Sequence, residues 1–296
     1  MAEQDLLLTP GTLQSTLLKR TAHARGCGAL QRLPTSMEVI EQDGIAFQVR
    51  MVESLAQDKK DTGSGAASEA NPFLPCDPDL FLGHLSPTHS AVLNKFNVTK
   101  HHLLLVTRVF EDQRCQLTQR DCEALLIALT EIDGLAFYNA GREAGASQAH
   151  KHLQLVPLDA IGPLPIERLL RVAHVDGMIG MVPGLPFRHA YAPMDPDWTN
   201  PDKFSGASLH ACYRALLRAA GLSVDATPGS HATCAPYNLL VTRKWMLLVP
   251  RSEECFEGIS INALGFGGAL LVKDRSQLAA LRRAGPVAAL QHVTPS

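Results

Sequence analysis

The stretch His150-Lys151-His152-Leu153-Gln154 places two imidazoles and a primary amide at alternate positions. Alternate side chains of a strand point the same way, so His150, His152 and Gln154 line one face, about 6.6 Å apart per pair. Lys151, Leu153 and Leu155 take the other face. The first face is a poor core and a good surface for a tetrahedral anion. Imidazole attacks phosphorus competently, and a covalent step divides one hard displacement into two easier ones. A solvated polar strand face or a set of metal ligands would use the same pattern, although Gln ligates transition metals poorly. Just upstream, Gly145-Ala146-Ser147-Gln148 combines small residues with a hydroxyl and an amide. Small residues let backbone N–H groups approach an oxyanion, and Ser and Gln add donors. An ordinary glycine turn has the same composition.

The elements that would position these residues follow from apolar spacing and turn chemistry. Leu6 to Ala29 reads as a helix, and Ile45 to Val52 as a strand. Gln57 to Asn71 is polar and small, which predicts a mobile loop. Lying inside the chain, it is expected to be an active-site flap or insertion and not a domain linker. SAVLNKF (90–96) and HHLLLVTR (101–108) read as strands. LTQRDCEALLIALTEI (117–132) carries apolar residues at helical spacing, with Thr118 three residues before Asp121 as a cap. Leu135 to Gly141 and His150 to Leu158 return to strand. The segment from Phe187 reads as irregular, Ala207 to Ala220 as helix, and 237–252 as a hairpin turning near Arg243-Lys244. Residues 261–274 are glycine-rich and then apolar, and Ser276 to Ala284 reads as helix. Short strands without regular strand–helix alternation predict an α+β fold with an antiparallel sheet. LLVTR occurs at 104–108 and again at 239–243, which leaves room for two related half-sheets.

Bulk properties set the surroundings. The chain of 296 residues is long enough for one large domain or two small ones, with 46% hydrophobic residues. Its formal net charge of -2 lacks the broad basic excess of a nucleic-acid or anionic-membrane binder. No apolar run approaches the roughly 20 residues needed to span a bilayer. The first residues carry no signal-peptide pattern, so a cytoplasmic location is expected. The seven cysteines never form CxxC and are expected to be free buried thiols. His84, His89, His101, His102, His174, His189, His210, His231 and His292 have no spacing partners and read as mostly surface or capping residues.

The stretch YNAGREAGASQAHKHLQLVPL (138–158) resembles the active-site region of the ATP adenylyltransferases. These are also called diadenosine tetraphosphate (Ap4A) phosphorylases. They belong to the histidine-triad superfamily, on the branch that holds galactose-1-phosphate uridylyltransferase. The resemblance continues in LNKF, HHLLLVTR, YNLLVTRKWMLLVPRS and SINALGFGGALLVK, covering most of Ile45 to Asp274 in the same order. It implies one α+β domain over 1–296, with a histidine-triad-like antiparallel core extended at both ends. Residues 159–296 would complete the sheet and the nucleotide site.

By the same resemblance, His152 is the nucleophile and Gln154 bonds the transferred phosphate. Hydrolases of the superfamily carry a third His at that position, so Gln implies transfer. Asn139 with Gly145, Ala146, Ser147 and Gln148 would form the phosphate-binding turn. Asn94 and Lys95 would form an early contact pair, and Asn262 and Lys273 would reach the dinucleotide. On the residues alone, Asn94-Lys95 reads as an exposed strand end and Lys273 as a strand-end charge. An early phosphate-binding lysine falls at Lys59 or Lys60. Ala269 stands where the family tends to have Met, which removes one apolar contact from the pocket. The implied reaction converts Ap4A and phosphate into ATP and ADP through adenylyl-His152. Either His150 or a backbone carbonyl of the next strand would orient His152. The implied partners are small nucleotides and phosphate, with no covalent cofactor, no metal site in the protein, and room for a divalent cation such as Mg2+ on the polyphosphate. A related nucleotidyltransferase using sulfate or a sugar phosphate, and a dinucleotide sensor without catalysis, are the alternative readings.

Overall fold

The computed structural model describes residues 7–53, 71–200, 203–224 and 233–295. The helices are α1 (Leu13–Gly26), α2 (Gln119–Glu131), α3 (Leu158–Ile161), α4 (Glu167–Leu170), α5 (Gly206–Ala219), α6 (Ala263–Phe266), α7 (Arg275–Ala284) and α8 (Pro286–His292). The strands begin with β1 (Thr35–Gln42), β2 (Ile45–Val52), β3 (Phe81–His84), β4 (His89–Leu93), β5 (Leu103–Thr107), β6 (Gly134–Ala140) and β7 (His152–Pro157). They continue with β8 (His174–Asp176), β9 (Ile179–Met181), β10 (Ala190–Pro193), β11 (Tyr237–Val241), β12 (Trp245–Pro250), β13 (Cys255–Phe256), β14 (Ile259–Ser260) and β15 (Ala269–Val272).

Ten strands form one sheet in the order β3-β4-β5-β7-β6-β11-β12-β10-β9-β8. Every neighbouring pair in it is antiparallel. Its central strands read as nearly unbroken apolar runs because both faces are covered. On one face, α1, α2 and α5 bury Leu13, Leu17, Leu125, Leu129, Tyr213 and Leu216. On the other, a small sheet in the order β1-β2-β15, with helices from α6 onward, buries Phe47, Val49, Phe266 and Leu290 against Phe137 and Leu247. β15 runs parallel to β2, so residues near the C-terminus reach back to the first hairpin.

Strands β5, β7 and β6 are adjacent and position the motif. Val106 pairs with His152, Leu104 with Gln154, and Phe137 with Gln154 from the opposite side. The antiparallel α+β expectation therefore describes the core. The two LLVTR segments supply β5 and β11, separated by β7 and β6 within one continuous ladder.

The capping signal at Thr118 forms α2's start. Thr118 Oγ1 accepts from the Asp121 amide at 3.3 Å, and Asp121 Oδ2 accepts from the Thr118 amide at 2.6 Å. Such a reciprocal cap stabilises by about 1 kcal/mol.

Several expected boundaries move. The helix expected over Leu6–Ala29 occupies Leu13–Gly26. SAVLNKF stops being strand at Leu93, and the strand expected from His150 begins at His152. His150 instead makes an isolated bridge with Asp112. The segment after Phe187 is not wholly irregular. It contains β10, which pairs with β12 and extends the sheet toward β9 and β8. These strands of three or four residues are too short to show a period. The expected loop over Gln57–Asn71 lies outside the described residues except for Asn71.

Candidate active site

His152 is 4% exposed and donates from Nδ1 to the backbone carbonyl of His150 at 2.8 Å. A carbonyl only accepts, so Nδ1 carries the proton and Nε2 keeps its lone pair. Burial pushes the His152 pKa from 6.5 down to about 4, against the His150 carbonyl bond and with the help of the His150 ring's charge. The imidazole is therefore neutral at ordinary pH, the form that attacks phosphorus. The expected orienting group was the His150 side chain or a carbonyl of the next strand. It is the carbonyl of His150 itself.

The His150 ring has other partners. Nε2 lies 2.8 Å from the Thr107 carbonyl, and Nδ1 lies 2.8 Å from Asn71 Nδ2. Phe73 and Phe110 pack edge-on against it. The ring thus ties the end of β5 to the segment from Asn71, and Phe73 from that segment also covers His152 at 5.5 Å between centroids.

Gln154 is oriented by a residue that sequence reasoning placed at the surface. His102 is buried, with Nε2 2.9 Å from Gln154 Oε1 and Nδ1 3.2 Å from Asn94 Nδ2. Asn94 donates, His102 passes on a donor, and Gln154 accepts through its oxygen, so the Gln154 NH2 group is the end not engaged by His102. Burial lowers the His102 pKa to about 4, opposed by the Gln154 bond and reinforced by His152. The signal for His102 was its position on the same strand face as Leu104 and Val106. What that face meets depends on the β5–β7 pairing, which no local pattern reveals. Lys95, the other half of the early contact pair, is exposed with Nζ 5.9 Å above the Phe96 ring.

The turn ahead of the motif is built tightly. Gly145 has φ +85°, and a Cβ there would lie 2.7 Å from the Ile261 carbonyl oxygen and 2.8 Å from Asn262 Cβ. Only glycine fits. The Gly145 amide donates to the Arg142 carbonyl at 2.8 Å and the Ala146 amide to the Gly141 carbonyl at 3.1 Å. These two amides were expected to face an anion, but the turn itself uses them. Ser147 and Gln148 follow as exposed residues.

Asn139 is 1% exposed, and its Oδ1 accepts from Asn238 Nδ2 at 2.8 Å and from the Ala263 amide at 3.0 Å. Its Nδ2 is buried without a partner. Gln113, also missed from sequence, joins β6 to β7 beyond their ladder. Its Nε2 donates to the carbonyls of Asn139 and His152, and its Oε1 accepts from the His152 amide at 2.8 Å. Gln113 sits in a polar segment between strands, where nothing local marks it. Asn262 caps α6 through the Leu264 amide and abuts Gly145. Lys273 follows β15, near Cys255, which Arg142 and Arg251 also approach. Lys59 and Lys60 lie outside the described residues.

Beneath β7, Lys151 is 0% exposed. Its Nζ donates to Asp121 at 2.7 Å, to the Gln116 carbonyl at 3.0 Å and to Glu111 at 3.2 Å. His89 Nε2 meets the other Asp121 oxygen at 2.9 Å. Burial alone would raise the Asp121 pKa, but Lys151 and His89 hold it well below the usual carboxylate range. His84, His89, His102 and His189 are thus interior, hydrogen-bonded residues, contrary to the surface reading. Among the cysteines, Cys115, Cys122 and Cys212 are buried, while Cys27 is exposed and the others half-buried. Among the described residues, His23, Cys27 and Asp79 bring three possible metal-ligand atoms within 4.8 Å of one another at the surface.

A cavity of about 250 Å3 opens beside the motif. Its lining includes Phe73, Phe81, Val92, Val106, Thr107 and Arg108, and Val106 is the strand partner of His152.

Comparison with known proteins gives this geometry a family. Residues 3–172 match the model of the Ap4A phosphorylase N-terminal domain, and residues 183–295 match that of the ATP adenylyltransferase C-terminal domain. Diadenosine 5',5'''-P1,P4-tetraphosphate phosphorylase 2 of Saccharomyces cerevisiae is 31% identical over 261 residues, 78% of this chain and 78% of that one. The crystal structure of yeast Ap4A phosphorylase Apa2 is similar with a TM-score of 0.79 and 26% identity, covering 98% of both chains. The same protein in complex with Ap4A gives 0.77 and 25%, covering 95% of this chain and 97% of that one. The α+β, histidine-triad-like fold is common to them, and this chain belongs to the Ap4A phosphorylase and ATP adenylyltransferase family.

Proposed function

We propose that this enzyme is a nucleotidyltransferase that cleaves Ap4A with phosphate to give ATP and ADP. The observation that carries the reading is His152, neutral, with its proton fixed on Nδ1 by the His150 carbonyl and Nε2 left to react. Nε2 attacks the phosphorus next to one adenosine. The bond from that phosphorus to the bridging oxygen breaks, and ATP departs as an anion that needs no proton. The positive charge on the adenylyl-imidazole is stabilised through Nδ1–H by the His150 carbonyl. Phosphate then attacks the same phosphorus, the P–N bond breaks, ADP leaves and neutral His152 returns.

The donors for the phosphoryl oxygens are the Gln154 amide NH2, the Asn139 NH2 and the Ser147–Gln148 end of the turn. Asn94 acts through His102. Asn262 shapes the turn from outside, and Lys95 and Lys273 offset the charge of the outgoing polyphosphate. The apolar cavity walled by Phe73, Phe81 and Val92 receives the nucleoside. No covalent cofactor enters this route, and a divalent cation such as Mg2+ arrives on the polyphosphate as part of the substrate. One folding unit over 1–296 and a cytoplasmic location complete the proposal. Among the described residues, no helix is long and apolar enough to cross a membrane.

The test is turnover of Ap4A with and without phosphate, with every product identified. ATP and ADP in equal amounts, dependent on phosphate, are expected. AMP in place of ADP, or turnover only with sulfate or a sugar phosphate, would replace the acceptor assigned here.

A further inference from the structure

Arg251 is 3% exposed, and among the described residues its hydrogen bonds go to oxygens of carbonyls and an amide, not to a carboxylate. Nε donates to the Val293 carbonyl at 3.1 Å, Nη1 to Asn238 Oδ1 at 2.5 Å and to the Ile261 carbonyl at 2.8 Å, and Nη2 to the Glu253 and Glu254 carbonyls at 2.7 and 3.4 Å. Glu254, whose charge acts on Arg251, bonds Ser260 and pairs with Arg142. Burial lowers the Arg251 pKa to about 10, which leaves it a cation at neutral pH. Its charge is met by these carbonyl and amide dipoles and by the Phe266 ring, 5.5 Å from Cζ, because a buried charge is costly unless its donors are satisfied.

Its bonds also set a direction. A guanidinium can only donate, so the Asn238 oxygen must face it and the Asn238 NH2 must face away. That NH2 donates to Asn139 Oδ1 and, at 2.8 Å, to the Ala144 carbonyl, an acceptor that fixes the same orientation independently. Asn139 Oδ1 also receives the Ala263 amide. Both partners of this oxygen lie toward β11 and α6. The amide is planar, so its NH2 diverges from these partners, and β7 is the other neighbour of β6. Gln113, bonded to the carbonyls of both Asn139 and His152, puts those two residues at one level. The Asn139 NH2 is buried and has no hydrogen-bond partner among the described residues.

We infer that Arg251 and Asn238 are positioning residues for phosphoryl transfer. Arg251 locks the Asn238 amide, Asn238 locks the Asn139 amide, and the chain presents one polarised N–H donor to the phosphoryl group on His152. Each donor in such a chain is strengthened by the one behind it, and the chain begins on a full positive charge. The inference rests on the adenylyl-transfer reading above. It adds that the anion-binding donor is set by a buried cation two amides away, on the same face of the sheet.

Asn238→Asp tests it. The substitution keeps the side-chain volume and gives Arg251 a carboxylate partner. It removes the NH2 that holds Asn139, so Asn139 either loses its partner or rotates and presents its oxygen to the anion. The expected result is a folded protein with kcat for Ap4A reduced about 100-fold, the scale of losing one preorganised donor, and with KM changed much less. Arg251→Lys, which keeps the charge, should retain more activity than Arg251→Gln. In wild type labelled with 15N-asparagine, the Asn139 side-chain resonance should shift when AMP is added, and this measurement needs no variant to fold. Wild-type kcat in folded Asn238→Asp, or an Asn139 resonance that ignores AMP, would overturn the inference. If wild type leaves Ap4A intact but Asn139 responds to AMP, and that response is lost in Asn238→Asp, the relay stands and the reaction assigned above falls.

Discussion

His152 gives its Nδ1 proton to the carbonyl of His150 at 2.8 Å, so the two histidines of the motif cooperate through the backbone and not through their rings. The peptide that supplies this carbonyl is itself anchored, because the Lys151 amide donates to the Glu111 carbonyl at 2.8 Å. The two histidines should therefore behave differently on substitution. His152→Ala should abolish turnover and leave the fold intact. His150→Gln keeps the carbonyl and loses the ring's bonds to Thr107 and Asn71, each worth about 1 kcal/mol. It should lose stability on that scale and still form the covalent adenylyl-enzyme. Trapping label from α-phosphate-labelled Ap4A checks both. Acid-labile, base-stable label must appear on wild type and on His150→Gln and be absent from His152→Ala. Equal loss of label in both variants would return a chemical role to the His150 ring.

Acid should act on this protein in two separable ways. His152 and His102 each have a folded pKa near 4 against an ordinary 6.5. The lowered value favours the neutral form, so the first displacement should keep its rate as pH falls to about 5 and lose it as Nε2 protonates near 4. The stability effect begins higher. Between 6.5 and about 4 the unfolded chain binds protons that the folded chain does not, so stability falls as pH falls through that window. Each imidazole contributes up to roughly 3 kcal/mol of stability, present in full at neutral pH and lost by about pH 4. Thermal melts at a series of pH values should show the decline, and it should be shallower in His102→Gln. Melts that are flat from pH 7 to 4 would show that these rings are hydrated and not buried.

Much of this arrangement is legible in the chain because its signals are local. Period-two spacing puts His152 and Gln154 on one face, and Thr118 with Asp121 announces α2. What the chain hides depends on partners remote in sequence. His102 reaches Gln154 only through the β5–β7 register, and Gln113 joins two strands from a loop with no motif of its own. The glycine turn misleads for a related reason. Its composition suits anion binding, but with the positive φ at Gly145 the turn closes on its own amides. The strands β8 to β10 are missed because three or four residues cannot display a period.

Lys151 stands between the two histidines and faces the opposite core, where Asp121 and His89 complete a buried network. Removing one member leaves a charge without its partner, at a cost of about 3–5 kcal/mol. Lys151→Met should therefore lower the melting temperature sharply, and adding Asp121→Asn should recover much of the loss because the orphaned charge disappears. Denaturant unfolding of the two single variants and the double gives the coupling directly. Additive losses would mean that Lys151 and Asp121 do not sense each other, against the 2.7 Å contact.

Gln154 offers the sharpest test of the acceptor. It lies two residues beyond His152, the proposed nucleophile, on the same face, and His102 occupies its oxygen at 2.9 Å, so what it can give the reaction is an N–H donor. An amide cannot relay a proton at ordinary pH, whereas an imidazole can. With Gln, the adenylyl-enzyme should wait for an acceptor that already carries its charge, and phosphate meets that requirement where water does not. In Gln154→His, the new ring would meet His102 through one nitrogen and face the phosphoryl group with the other, able to take a proton from water. The variant should therefore form relatively more AMP and depend less on phosphate, even where it is slower overall. The measurement is the AMP to ADP ratio from Ap4A across a phosphate titration. A folded, active variant with the wild-type ratio would mean that residue 154 does not select the acceptor, and the choice between phosphate and water would then lie with the groups that bind the incoming anion.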